Sequence, residues 1–430
     1  MGKSGERLGA GRTRTAPGLQ RLAAGACLAV LAAAACAPGV AVAQATAASL
    51  GGPNKPFTIG VQETTSYDSN PARGDAQNAA IRGLSSGDVT LSPSVTAVYS
   101  RSVGLQGLAI NADFGYDYHT TNNSLSREHL DFSGVGNFAV GGFCSLGANA
   151  SFSRGQSPLQ TLTVDVTQNT VDIYKIGGSE SCRTAGGLTE SINVSHSGTD
   201  NSAAGLVNYD TNEVSGLIGY TNAAIGTVGL TLGYDRTQSH AGRLVTTFVP
   251  DVLQVVSVGA QISRPFGARL TGSASVSYSH STDTIVGLPS FFQPSAYSGL
   301  TSDVALGYKL GPRLNLTADV NRSVSGSVLE GVQYSIVTSA SLGANYTVSS
   351  RISAGIGGSW AHTDYRGLSP LVTTTTPDWQ ETATFYVQSS IRIGRRASAS
   401  LAYHHVEGRS PLSLYDYTSD YVGLTLATSF

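Results

Sequence analysis

Eight histidines, four cysteines and one Gly-x-Ser-x-Gly pentapeptide are the residues of this 430-residue chain whose types suit catalysis or metal binding. The pentapeptide, Gly83-Leu-Ser-Ser-Gly87, has the form of a nucleophile elbow. That chemistry needs a strand-to-helix turn that lifts the serine above a sheet, and the segment reads instead as part of a long loop without a helix. His119, His129, His196, His240, His280, His362, His404 and His405 gather near segment ends and do not fall at metal-ligand spacing. Outer-wall hydrolysis by a Ser, His and polar-orienter set would draw on His362 or His404, but no local pattern marks either one. The residues point to no cofactor, no metal and no enzyme.

Cys27 and Cys36 lie in the amino-terminal apolar stretch, which leaves Cys144 and Cys182 for the mature chain. Each falls beside a short turn at the same end of neighbouring strands, so a disulfide is within reach. Two free buried thiols are the alternative.

The amino terminus explains why a disulfide is permitted. Residues 1 to 21 carry Lys3, Arg7, Arg12, Arg14 and Arg21 against Glu6, and the apolar run Leu22 to Ala35 follows. A run of that length suits a signal-peptide core and is short for a bilayer helix. Ala41-Val-Ala43 offers small residues for cleavage before Gln44, so residues 1–43 read as an export signal. Cys36 as a lipid-modified residue is the lesser reading, because Ala33-Ala-Ala35 lacks the leucine such a site prefers. Export also removes five of 26 basic and one of 28 acidic residues, leaving 21 against 27. A mature charge of about −6 argues against a nucleic-acid partner.

Composition then separates two kinds of exported protein. Charged residues are only 13% of the chain, against roughly 25% in soluble domains, beside 51 Gly, 19 Tyr and a single Met. No later run reaches the length of a membrane helix, so any membrane span must be built from strands. From Pro56 onward the segments alternate with period two. One face of Gln106 to Tyr118 reads Leu108, Ile110, Ala112, Phe114, Tyr116 and Tyr118, and the other Asn111, Asp113, Gly115 and Asp117. The polar faces are Ser, Thr, Gly and Asn rather than Lys and Glu, as a confined wet lumen requires.

Eight short junctions alternate with nine long ones rich in Pro, Asp, Asn and Ser, which gives about 18 strands, with 16 as the lower bound. The predicted fold is an all-β transmembrane antiparallel up-and-down barrel over residues 56–430, with short periplasmic turns and long extracellular loops. Residues 44–55 form a short periplasmic segment, too small for a plug or a repeat domain. The predicted location is the outer membrane of a Gram-negative bacterium. Tyr99, Phe138, Tyr220, Phe266, Tyr308 and Tyr346 beside the short turns, with Tyr116, Tyr234, Tyr278 and Trp360 beside the long loops, read as two interfacial girdles. One residue breaks the pattern: Glu190 is aimed at lipid, so a bulge or shifted strand is expected there. The last strand ends on Phe430, which resembles the terminal aromatic read by the barrel assembly machinery.

Inside such a barrel the alternation places Asp113, Asp131, Asp235, Asp303 and Asp319, with Lys309 and Arg392 as opposing charges. An excess of carboxylates favours cations and neutral solutes over anions. Three loops share a Ser-Pro-Leu turn at Pro158, Pro370 and Pro411, and Leu288-Pro-Ser-Phe-Phe292 adds Pro289, Phe291 and Phe292. These predict an apolar cap or gate over the mouth, or else packing that only stiffens the rim.

The first strand runs into Tyr67-Asp-Ser-Asn-Pro71 ahead of a plain barrel, and this resembles the type 2 family of outer-membrane β-barrel porins associated with exopolysaccharide export. The resemblance implies passage of polysaccharide or small polar solutes. Expected partners are outer-membrane lipid and lipopolysaccharide, the barrel assembly machinery and periplasmic polysaccharide-export components. The competing classes are an outer-wall hydrolase and a structural or adhesive barrel closed by its loops.

Overall fold

In the computed structural model the described residues are 56–162, 166–203, 206–240, 251–285, 296–327, 332–367 and 377–430. The export signal assigned to residues 1–43 and the segment 44–55 lie outside them, as do Pro289, Phe291, Phe292 and Pro370. Nine strands occupy the first half: β1 (Phe57–Asp68), β2 (Asp88–Val103), β3 (Gln106–His119), β4 (Arg127–Val140), β5 (Cys144–Gln156), β6 (Thr170–Arg183), β7 (Leu188–Asn201), β8 (Tyr209–Asn222) and β9 (Gly226–Ser239). Nine more complete the chain: β10 (Asp251–Phe266), β11 (Leu270–Ile285), β12 (Tyr297–Leu310), β13 (Leu314–Gly326), β14 (Tyr334–Thr347), β15 (Ile352–Arg366), β16 (Trp379–Ile393), β17 (Ala397–Arg409) and β18 (Tyr417–Ser429).

Each strand pairs antiparallel with its chain neighbours, and β1 pairs β18 from Gly60 opposite Ser429 to Asp68 opposite Tyr421. The result is a closed 18-stranded β-barrel. Closure leaves no free sheet edge, the condition for putting strands in lipid. Strands of 12 to 16 residues exceed the roughly 9–11 needed to cross a bilayer, so they project beyond it. Among the described residues no helix is long and apolar enough to cross a membrane.

Pairing carries each face around the ring. Phe114 stands opposite Val95 and Leu130, whereas Asp113 stands opposite Thr96 and Asp131. The first face is apolar and bare: Leu230, Leu342 and Ile218 are 69%, 67% and 66% exposed. Apolar side chains left this open over a whole belt belong against lipid. The second face is the lumen wall, and along β11 it reads Thr271, Ser273, Ser275, Ser277, Ser279 and Ser281.

The expected bulge at Glu190 is absent. The β6–β7 ladder runs without interruption from Arg183 opposite Thr189 to Val171 opposite Asn201. Glu190 is the third residue of β7, so its carboxylate sits at the short-turn rim, where a charge can reach water and the ladder need not distort. The costlier outward carboxylate is one that sequence reading passed over. Glu63 lies halfway along β1 on the face of Val61, opposite Pro93 and Leu426.

Cys144 and Cys182 are direct partners across β5 and β6, with Cα atoms 4.0 Å apart, and form a disulfide. It ties two hairpins at their short-turn ends. Two measurements test this wall. The Cys144→Ser/Cys182→Ser variant should unfold in urea with a stability loss of at most about 4 kcal/mol, the loop-entropy value for a separation of 38 residues. Glu63→Leu in the same assay should gain about 1 to 2 kcal/mol, because a carboxylate is replaced where lipid is the solvent.

Candidate functional site

The lumen wall carries its charges in cross-strand groups. On β3 and β4, Asp113 faces Asp131 directly. Like charges in that position repel, and His129 lies beside them: its Nε2 is 3.2 Å from Asp113 Oδ1 and its Nδ1 3.1 Å from Asp117 Oδ1. Both contacts are hydrogen bonds only when the ring carries two protons. The imidazole reaches both carboxylates because its cross-strand partner is Gly115, where an added Cβ would come within 2.4 Å of the ring. Ser94 Oγ donates to the other oxygen of Asp113 at 3.3 Å.

A second group joins β8 and β9, where Glu213 faces Asp235. Lys175 Nζ approaches Glu213 to 3.8 Å, and Ser195 Oγ donates to it at 3.1 Å. The third lies on β12 and β13. Asp303 accepts from Asn321 Nδ2, and Asp319 from Ser341 Oγ, both at 3.3 Å. In a ring of 18 strands β3 and β4 stand nine places from β12 and β13, so the first and third groups oppose each other across the lumen. Lys309 and Arg392 share the inner face but sit one residue from the short-turn ends of β12 and β16. Sequence reading put Asp117 on the polar face of its strand but did not name it, His129, Lys175 or Glu213 among the lumenal charges. The alternation that gave Asp113 gives all four once the register is fixed.

The other histidines mostly point outward at the long-loop end. His362 stacks between Trp360 and Trp379 and contacts Glu381 at 3.1 Å and Asp364 at 3.4 Å. His405 Nδ1 meets Asp420, which also accepts from Tyr403 Oη, both at 2.8 Å. His404 instead faces inward, buried between the rings of Tyr386 and Tyr421. Among the described residues neither His362 nor His404 has a serine hydroxyl in hydrogen-bond range. His280 does, with Ser298 Oγ 2.7 Å from Nδ1 on the outward face, but the described residues supply no orienting partner for its Nε2. The only described trio within metal-binding reach, Cys144, Glu180 and Cys182, has both thiols consumed by the disulfide.

At the mouth, the loops after β1, β3, β5 and β7 share a small apolar core of Ala72, Leu84, Leu125, Leu159, Leu162 and Leu206. Buried Arg82 fastens it: Nη1 donates to Ala72 O at 2.5 Å, and Nη2 to Leu159 O and Leu162 O at 2.9 and 3.1 Å. The first loop does contain a helix, contrary to expectation. This helix, α1 (Ala76–Ile81), is capped by Asp75, whose side chain accepts from Asn78 N, and Asn78 Nδ2 donates to Leu414 O at 2.7 Å. It precedes Gly83-Leu-Ser-Ser-Gly87, the reverse of the order a nucleophile elbow needs. Of the Ser-Pro-Leu turns, Pro158 leads into buried Leu159, while Leu412 after Pro411 is 37% exposed. The recurrence does not mark one common packing role.

A different device occupies the opposite side of the same mouth. Pairing between β12 and β13 stops at Ser302 opposite Arg322, although β13 and β14 stay paired up to Gly326 opposite Tyr334. Tyr334 and Ile336 are buried with Leu253 and Val255, which lie on the inner face of β10. The outer end of the β13–β14 hairpin therefore lies inside the barrel, behind β10.

No family model matches the chain. No curated protein matches it either. Among solved structures, the siderophore receptor PirA from Pseudomonas aeruginosa aligns over 88% of this chain and 81% of its own, at 11% identity and a TM-score of 0.40. The FrpB iron transporter (F3-3 variant) from Neisseria meningitidis aligns over 84% of this chain at 9% identity and a TM-score of 0.45, and the chain spans only 63% of its length. OccK2 from Pseudomonas aeruginosa aligns over 87% of this chain and 98% of its own, at 10% identity and a TM-score of 0.45. Likeness at these identities concerns barrel architecture alone.

The buried guanidinium makes the loop core testable. Arg82→Ala strips donors from three carbonyls and should weaken the cap by about 2 to 5 kcal/mol. Trypsin should then cut after Arg73 in the assembled barrel far faster than in the unaltered protein, while the barrel itself keeps its folded migration on gels.

Proposed function

We propose that the chain is a passive outer-membrane conduit for polar solutes, saccharides above all, with polysaccharide export as the finer reading. The observation that carries it is the inner face: a wall made mostly of Ser, Thr, Gly and Asn positions, with acidic groups on β3–β4 and β12–β13 that oppose each other across the lumen. About 18 strands enclose a lumen wide enough for water. Hydroxyl and amide side chains exchange hydrogen bonds with a sugar as readily as with water, so a neutral polyhydroxyl solute meets no desolvation barrier. The carboxylates raise one against anions.

The partners fit the same reading. Outer-leaflet lipid and lipopolysaccharide would meet the aromatic girdles and the outward histidines and arginines of the long-loop rim. Phe430, 61% exposed at the end of β18, would be presented to the barrel assembly machinery. Periplasmic export components would approach the short-turn rim, where Lys309 and Arg392 lie. Kinship with the type 2 porin family remains part of this proposal and rests on Tyr67 to Pro71 and the plain barrel that follows.

Planar-bilayer recording tests the conduit. The protein should conduct with potassium preferred over chloride, and replacing Asp113, Asp131, Glu213, Asp235, Asp303 and Asp319 by Asn or Gln should bring the reversal potential in a salt gradient close to zero. Proteoliposomes should swell in small sugars. A chloride preference in the unaltered protein would overturn the acidic-lumen argument, and no current either with or without residues 70–86 would sink the conduit itself.

A further inference from the structure

We propose that the outer end of the β13–β14 hairpin is a gate with two seats, one against the inner wall of β9–β11 and one in the gap beside β12. The structure shows the first seat. Ile336 and Tyr334 are 4% and 3% exposed against Leu253 and Val255, with Tyr297 and Val324 packed around them. At Gly326 an added Cβ would lie 3.1 Å from Thr237 Cγ2, which places the hairpin as far around as β9. Gln333 Nε2 donates to Asp283 Oδ2 at 3.3 Å, on the inner face of β11, and to Gly367 O at 3.1 Å.

The second seat is written in the register. Nine pairs join β12 to β13 below the split, from Leu310 opposite Leu314 to Ser302 opposite Arg322. Above it, Tyr297 to Thr301 pair only with β11 and Ser323 to Gly326 only with β14. Continuing the same ladder outward would set Leu300 beside Val324 and Ser298 beside Gly326. Side-chain faces agree with that continuation, since Val324 and Ile336 share the face of Val320 and Leu342, which lower down is turned to lipid. Leu300 and Tyr278, the neighbours they would join, are already 62% and 56% exposed.

One apolar face can thus be satisfied in two ways, by Leu253 and Val255 inside or by the hydrocarbon and headgroup boundary outside. Moving outward exchanges that inner contact for ladder hydrogen bonds along an edge of β12 that, among the described residues, has no strand partner on this side. Neither seat requires a residue to reverse its orientation in the strand, which is what a two-state element needs. Inside, the hairpin narrows the mouth over β9–β12. Outside, it becomes wall.

The gating role rests on the conduit proposed above, whereas the two seats do not, and the experiment separates them. Thr237→Cys with Gly326→Cys reports the inner seat: the two Cβ positions are 3.8 Å apart, within the window for a disulfide. Ser298→Cys with Gly326→Cys reports the wall seat. Both pairs are made in the full chain, checked for folded migration when reduced, oxidised in proteoliposomes and read by peptide mass spectrometry and bilayer conductance. Both are expected to cross-link, the first holding the pore at a low conductance and the second at a severalfold higher one, with reductant restoring exchange between levels. The proposal is overturned if the first pair links fully, the second never links, and conductance is the same oxidised or reduced. Linking of both pairs in a protein that never conducts would uphold the seats and overturn the conduit.

Discussion

Closure of β18 on β1 is the constraint on which the rest depends. A strand in lipid has no water for its backbone groups, so each amide and carbonyl of the wall must find a partner on both sides. Gly60 to Asp68 must therefore meet Tyr421 to Ser429 although more than 350 residues separate them. Once that ladder exists, the count of strands and the period of two decide which residues face in and which face lipid. Asp113, Asp235 and Asp319 owe their places in the lumen to this parity, not to any local motif.

That dependence explains what could be read from the sequence. Turn chemistry marks every junction, and alternation marks every wall, so strand number, the faces and the meeting of Cys144 with Cys182 were all legible. Arg82 was not. It becomes a fastening only because the loops after β1 and β5, 77 residues apart at Arg82 and Leu159, lean together over the mouth. Nor does any sequence period distinguish Ile336 tucked behind β10 from Ile336 facing lipid, because both keep it on the same side of β14. Glu190 misled for a related reason: alternation reports a face but not a depth, and at the rim an outward carboxylate needs no bulge.

The two sides of the mouth are built on different physics. After β1, β3, β5 and β7 the loops carry enough leucine to form a core of their own, fixed by a buried cation whose donors are used on carbonyls. That arrangement is stiff, since parting the loops after β1 and β5 takes Leu159 O and Leu162 O from Arg82 in an apolar site. On the other side the hairpin borrows its burial from the lumen wall. Leu253 and Val255 are apolar at inner positions where the neighbouring strands carry polar residues, Thr237 and Asp283 beside Leu253 and Asp235 and Ser281 beside Val255, so they form a landing patch in a surface otherwise suited to water.

The lumenal acids follow from the same logic of position. Setting Asp113 opposite Asp131 and Glu213 opposite Asp235 costs the wall stability, because directly paired like charges repel. His129 and Lys175 offset part of that repulsion without removing the negative excess. Gly115 carries the cost of the first arrangement in backbone terms: a strand position is left without a side chain so that one imidazole can lie across it and touch two carboxylates. A wall selected for stability alone would put threonine at these positions, as β11 puts serine and threonine from Thr271 to Ser281 on its inner face. Keeping carboxylates there, opposed across the lumen and partly neutralised from within the wall, makes physical sense where the contents of the lumen must be sorted by charge.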